Sequence, residues 1–210
     1  MEYSIEQFLE ENKEVAKDKF SVLAFTSGTT GELKGVMLSQ YNIMSNLRAA
    51  IENNVLKSPT LSVLPMNHTY GFNPGVLNTF YNAGTLCINM ALKHIARDLK
   101  LFQPYFIGVV PMMAEGIYQN IIREAKRQKK YDTLMRMIKI SNFLLKFKID
   151  VRRLFFGNIL CKSLRLMVSG GAPLNRMYVE KFEELGIKLL NGYGLTECAP
   201  LVAVNRAAYM

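Results

Sequence analysis

The chain has 210 residues, half of them hydrophobic and a fifth charged, with a formal net charge of +9; that is enough for one large or two small domains with a packed core. No run of eighteen or more apolar residues occurs, which excludes a transmembrane helix. Cys87, Cys161 and Cys198 stand too far apart to suggest a zinc site or a disulfide framework. The acidic opening Met1-Glu2-Tyr3-Ser4-Ile5-Glu6 lacks a signal-peptide pattern, so a reducing cytoplasm is the expected compartment. Cys198 reads as a small buried residue rather than a nucleophile.

Taken in chain order, residues 1–19 are charged and read as a helix or a tether. Strand-like apolar runs then recur at 22–25, 61–64, 85–88, 106–110, 164–168 and 187–190, with helical stretches between them. Ser39 is placed as the N-cap of a helix through Ile51, Pro111 as the opener of one reaching Lys129, and Pro173 as the opener of another. Residues 174–185 set Tyr178, Phe182 and Leu185 on one helical side. Strands alternating with helices predict an α/β fold, with mostly parallel sheet layers and flanking helices. Ligands of such sheets bind beyond the C-terminal ends of the strands.

The excess charge is concentrated. Between Arg123 and Arg153 eleven Lys and Arg residues face only Glu124, Asp132 and Asp150, a local net of +8. Leu134, Met137, Ile138, Ser141 and Leu145 fall on one helical face there, with Arg136, Lys139 and Lys146 elsewhere, and the aromatics are expected on or near the apolar face. Three readings stay open: a core-packed helix with a solvated basic face, attraction to an anionic membrane surface, and attraction of ATP or CoA. The segment has no nucleic-acid-binding motif, and no nucleic-acid partner is expected.

The run Thr26-Ser27-Gly28-Thr29-Thr30-Gly31-Glu32-Leu33-Lys34-Gly35 follows the first apolar run. Backbone N–H groups and hydroxyls can donate to phosphoryl oxygens, glycines let the backbone approach, and Lys34 supplies positive charge. It is not a Walker A loop, because only Thr29 and Thr30 separate the first two glycines and Gly35 follows Lys34. A second run, Asn191-Gly192-Tyr193-Gly194-Leu195-Thr196-Glu197, offers a flat aromatic face for a base, a hydroxyl for a phosphate, and a hard anionic oxygen suited to Mg²⁺. Between them, Ser169-Gly170-Gly171-Ala172-Pro173-Leu174 is a small-residue loop after a strand candidate. A fourth segment, Leu64-Pro65-Met66-Asn67-His68-Thr69-Tyr70-Gly71-Phe72, holds a histidine among aromatics.

In this order the four segments resemble the signature loops of the adenylate-forming (AMP-binding) superfamily. Within it the chain looks most like long-chain fatty acyl-CoA synthetases, on the strength of a basic helical insertion at about 121–156 just before the small-residue loop. The resemblance spans residues 20–210 and implies part of the large N-terminal adenylation domain. One departure is Leu33, where many relatives have proline.

The resemblance implies an acid–thiol ligase that uses ATP and Mg²⁺ to turn a fatty acid into acyl-AMP, then transfers the acyl group to CoA. Thr26, Ser27, Gly28, Thr29, Thr30, Gly31 and Lys34 would hold the phosphates. Thr26 and Glu197 would bind Mg²⁺, and Lys34, Thr196 and Glu197 would serve catalysis. Gly170, Gly171, Ala172, Asn191, Gly192, Tyr193 and Thr196 would hold the nucleotide; His68, Thr69 and Phe72 would border the acyl chain. Family members continue into a Thr-Gly-Asp segment, a hinge and a small C-terminal domain with a catalytic lysine. The expectation is therefore a fragment, inactive alone, whose parent is cytoplasmic or peripheral to the inner membrane face. Adenylation of an aryl or amino acid, and a non-catalytic nucleotide-binding role, stay open as alternatives.

Overall fold

Alternating strands and helices give a six-stranded sheet in the order β4-β3-β5-β6-β7-β8 and a separate two-stranded hairpin, β1-β2. They are seen in a computed structural model that describes residues 18–27, 33–53 and 57–205. The sheet is built from β3 (Thr60–Ser62), β4 (Leu86–Ile88), β5 (Phe106–Val109), β6 (Leu166–Ser169), β7 (Lys188–Gly194) and β8 (Leu201–Val204). Every pairing is parallel except β7 with β8. The crossovers carry α2 (Asn78–Tyr81), α3 (Ile95–Phe102), α4 (Pro111–Arg127), α5 (Tyr131–Leu145), α6 (Arg152–Phe156) and α7 (Arg176–Glu184). The expected α/β class and mostly parallel sheet are therefore present. Among the described residues no helix is long and apolar enough to cross a membrane.

Side chains alternate across the central strands as a period of two requires. Ile107, Val109, Met167 and Leu189 enter the main core with Leu99, Ile117 and Phe182 of the flanking helices. Phe106, Leu166, Val168 and Leu190 form a smaller cluster on the other face. α4 opens with Pro111 at its first position, where the missing N–H costs nothing, and buries Ala114, Ile117 and Ile121. α5 buries Leu134, Ile138 and Ser141.

Several expectations change. β1 (Phe20–Ser27) lies outside the parallel sheet and pairs antiparallel with β2 (Leu33–Ser39), from Phe20 opposite Ser39 to Ser27 opposite Leu33. Lys34 and Gly35, read as loop residues, belong to this return strand, where the ladder supplies the hydrogen bonds that periodicity did not advertise. β7 runs on through Gly194, so Asn191, Gly192, Tyr193 and Gly194 lie in a strand, Asn191 beside Ser169 of β6 and the other three held by antiparallel pairing with β8. Pro173 does not open α7; Asn175 does, its carboxamide oxygen accepting the Met177 N–H at 2.9 Å, a cap that proline cannot supply. Residues 1–17, and with them nearly all of the charged helix or tether, lie outside the described residues.

The helix after Ser39 forms as expected: α1 spans Gln40–Asn53. Ser39 Oγ accepts the Asn42 N–H at 3.2 Å while Asn42 Oδ1 accepts the Ser39 N–H at 2.9 Å. This is a reciprocal capping box with asparagine in place of the usual glutamate.

Candidate active site

A cavity of about 570 Å³ opens at the C-terminal ends of the central parallel strands and reaches the hairpin and α1. Its floor includes Phe106 of β5 and Val168 of β6, and its walls come from segments far apart in sequence. Thr26 and Lys34, cross-strand partners on β1 and β2, meet His68 and Thr69 after β3, Gly170 and Gly171 after β6, and Gly192, Tyr193, Thr196 and Glu197 at the end of β7. Phe72, Ala172 and Asn191 are not among the lining residues. Ser27 contributes backbone to β1, and Gly28, Thr29, Thr30 and Gly31 lie outside the described residues. A second groove, about 550 Å³, runs between α3, α4 and α5; apolar residues such as Leu99, Ile117 and Leu134 dominate its lining, and it carries none of the motif residues.

Tyr70 sets the geometry of the strand ends. Its hydroxyl lies 2.8 Å from the Val168 carbonyl and 3.3 Å from the Val109 carbonyl, so it ties β5 to β6 under the cavity. Burial pushes its phenol well above the usual tyrosine range, which keeps the proton needed for this bridge. A Cβ at position 170 would stand 3.3 Å from both the Tyr70 ring and the Gly192 carbonyl, so glycine is what lets the chain cross the floor. Gly171 has φ +82°, a left-handed conformation in which any side chain is strained.

The Thr196–Cys198 turn is held from below and from the side. Ala199 is buried with Leu38 of β2 and Ile43 of α1, and its carbonyl accepts a hydrogen bond from Asn73 Nδ2. Asn46 of α1 donates through Nδ2 to the Cys198 carbonyl at 2.9 Å and the Leu201 carbonyl at 2.6 Å, while its Oδ1 accepts the Leu201 N–H at 3.2 Å. These contacts fix the segment that presents Thr196 and Glu197. Cys198, expected to be buried, is exposed; the turn directs Ala199, rather than its neighbour, into the core. Asn46, Tyr70, Asn73 and Asn78 all line the cavity; the three asparagines were not singled out from sequence, and Tyr70 was read only as one of the aromatics around His68. The signal available was the cluster Asn73, Asn78 and Asn82 in an otherwise apolar stretch.

The lining is predominantly apolar, with a few polar groups set into it. Lys34, Tyr193 and Glu197 are exposed at the cavity. The His68 ring accepts the Tyr70 N–H at Nδ1, 3.1 Å away, leaving Nε2 as its free donor. Thr69 Oγ1, Asn73 Oδ1 and Asn78 Nδ2 are buried and have no hydrogen-bond partner among the described residues. Buried polar atoms normally find partners, and three orphans on one cavity fit a ligand that brings its own polar groups. Among the described residues no three His, Cys, Asp or Glu side chains gather to hold a metal. Glu197 with the Thr26 hydroxyl therefore suits Mg²⁺ only in the way that ion binds nucleotides, through one or two protein oxygens plus substrate phosphates.

Residues 2–209 match the AMP-binding family, described as AMP-binding enzyme. The chain belongs to this family. Curated relatives include long-chain-fatty-acid–CoA ligase 5 of Rattus norvegicus, 30% identical over 200 residues, covering 86% of this chain and 29% of that protein. Another is 4-coumarate–CoA ligase-like 2 of Arabidopsis thaliana, 27% identical over 191 residues, covering 90% of this chain and 29% of that protein. The chain thus spans under a third of the length of these relatives. Among solved structures, the adenylation domain of a carboxylate reductase from Mycobacterium chelonae superposes with a TM-score of 0.70 at 22% identity, over 90% of this chain and 28% of that one. o-Succinylbenzoate CoA synthetase of Bacillus subtilis, in complex with ATP and magnesium ion, gives 0.67 at 18% identity, over 92% of this chain and 34% of that one. The last two likenesses establish the fold of the N-terminal region of an adenylate-forming enzyme.

Proposed function

We propose that the cavity binds ATP with Mg²⁺ and an organic carboxylic acid, and that the protein to which this region belongs joins them as an acyl-adenylate before passing the acyl group to CoA. The observation that carries the reading is the convergence of Thr26, Lys34, Tyr193, Thr196 and Glu197, from both ends of the sequence, on one cavity with three orphaned polar atoms. In this reading the acid's carboxylate attacks the α-phosphorus, forming a P–O bond and expelling pyrophosphate. The CoA thiol then attacks the acyl carbon and AMP leaves.

The protein's part is positioning and charge neutralisation. Lys34, exposed and without an ion pair among the described residues, offsets phosphate charge. Tyr193 presents its ring to adenine across the Gly170–Gly171 turn, and Thr196 donates to a phosphate oxygen. Thr26 and Glu197 hold Mg²⁺, which when bound neutralises phosphate charge. His68 and Thr69 border the acid, and the mostly apolar lining suits an apolar acyl group. A long-chain fatty acid is the substrate class in the names of several of the relatives, with an aryl acid as the alternative.

Isotope exchange between pyrophosphate and ATP, run with palmitate, an aryl acid and an amino acid, tests the reading. Exchange dependent on palmitate supports it, and exchange dependent on another acid reassigns the substrate. ATP binding without exchange for any acid favours a nucleotide-binding region that needs the rest of its protein for turnover.

A further inference from the structure

α5 has two apolar faces, and only one is used by the core. Leu134, Ile138 and Ser141 are buried, whereas on the opposite side Ile140 is 50% exposed and Phe143 58%. Phe147, in the turn that follows, is 63% exposed and packs edge-on against Phe143 with ring centroids 5.3 Å apart. Ile149 and Leu154, farther along the chain, are also exposed, at 51% and 80%. The aromatics expected on the core face are thus turned outward. The same stretch is uniformly basic: Arg136, Lys139, Lys146 and Lys148 are exposed, and no acidic residue occurs between Asp132 and Asp150. None of the four forms an ion pair among the described residues.

We propose that this outer face of α5 and its following turn docks on an anionic lipid surface, with Ile140, Phe143 and Phe147 entering the acyl boundary and Arg136, Lys139, Lys146 and Lys148 meeting the headgroups. Apolar side chains ringed by lysine and arginine on an already folded helix are the composition of an interfacial element. Charge complementarity selects the occupant: a second copy would bring four like charges against four, whereas an anionic bilayer offers both an apolar layer and negative charge. The inference stands apart from the nucleotide site, since none of these residues lines that cavity.

Co-sedimentation of the full 210-residue chain with vesicles of phosphatidylcholine alone, or mixed with phosphatidylglycerol, tests it. Binding is expected only to the mixed vesicles. It should fall sharply as salt rises from about 0.1 M to about 1 M, where screening shortens from about 10 Å to about 3 Å. Lys139→Ala and Lys146→Ala should each weaken binding about fivefold. The pair Phe143→Ser and Phe147→Ser should weaken it roughly tenfold, with the melting temperature unchanged because these rings support no core. Equal binding to neutral vesicles, no binding to either, or binding indifferent to the two phenylalanines would overturn the proposal. So would self-association, or retention of an acidic protein, abolished by the same substitutions in a chain that ignores vesicles.

Discussion

Asn46 gives the sharpest test of how the site is held. Its carboxamide makes three hydrogen bonds to the Cys198 and Leu201 backbone, 155 residues away at the farther one, and these connect α1 to the turn that presents Thr196 and Glu197. Each is worth about 1 kcal/mol net. The Cys198 carbonyl can regain water after truncation, whereas the Leu201 groups are partly buried, so Asn46→Ala should cost about 2 kcal/mol, roughly a thirtyfold shift in the folded-to-unfolded ratio. Asn46→Asp keeps the acceptor for the Leu201 N–H but sets a carboxylate oxygen against two carbonyls, and should destabilise at least as much. Equilibrium urea unfolding at constant m-value reads both, and calorimetry with Mg·ATP reads the effect on the turn. If both variants stay within about 0.5 kcal/mol of the parent and bind nucleotide equally, the clamp assigned to Asn46 is wrong.

Tyr70→Phe keeps the ring but strips the hydroxyl from the Val168 and Val109 carbonyls; urea unfolding should show a loss of about 1–2 kcal/mol. Gly171→Ala meets nothing closer than Val110 Cγ1 at 3.9 Å, so its cost is conformational, about 1 kcal/mol for a residue forced to φ +82°. Asp98 is held below the usual carboxylate range chiefly by the Arg97 guanidinium at 2.7 Å, against its own burial, with help from Asn89 at 2.7 Å. A depressed native value means stabilisation that is full above the unfolded value near about 3.9 and lost as pH falls through the native one. The stability gap between parent and Asp98→Asn should therefore narrow from neutral pH to about pH 3; a constant gap contradicts the assignment.

The parallel core was legible because its strands are short apolar runs between helical stretches, and Phe106–Val109 and Leu166–Ser169 fall within two residues of the expected runs. β2 and β8 were not. Leu33–Ser39 is interrupted by Lys34 and Gly35, and Leu201–Val204 is a short strand whose only partner among the described residues is β7. Pairing, a long-range property, decides both. That Thr26, Lys34, His68, Thr69, Tyr193, Thr196 and Glu197 share one cavity agrees with the motif reading, since each carries its chemistry in its own side chain, whereas Phe72, Ala172 and Asn191 fall outside its lining. Asn46 and Asn73 were not legible, because an asparagine in a helix reveals its partners only when the turn around Ala199 is folded against it. Periodicity placed Leu134, Ile138 and Ser141 on the face that the core takes, but not Phe143 and Phe147, which are exposed, the second of them beyond the end of the helix.

The central claim is that one cavity, lined by Thr26, Lys34, Tyr193, Thr196 and Glu197, receives Mg·ATP. Titration calorimetry of the 210-residue chain with ATP, with Mg²⁺ and with a chelator, for the parent, Lys34→Ala and Glu197→Ala, tests it most directly. The account predicts one site per chain and weaker binding in Lys34→Ala under both conditions. In Glu197→Ala it predicts a loss of about tenfold with Mg²⁺ and little change without it, since one charged-group contact is worth about 1.5–3 kcal/mol. Nucleotide binding that ignores both substitutions would contradict it.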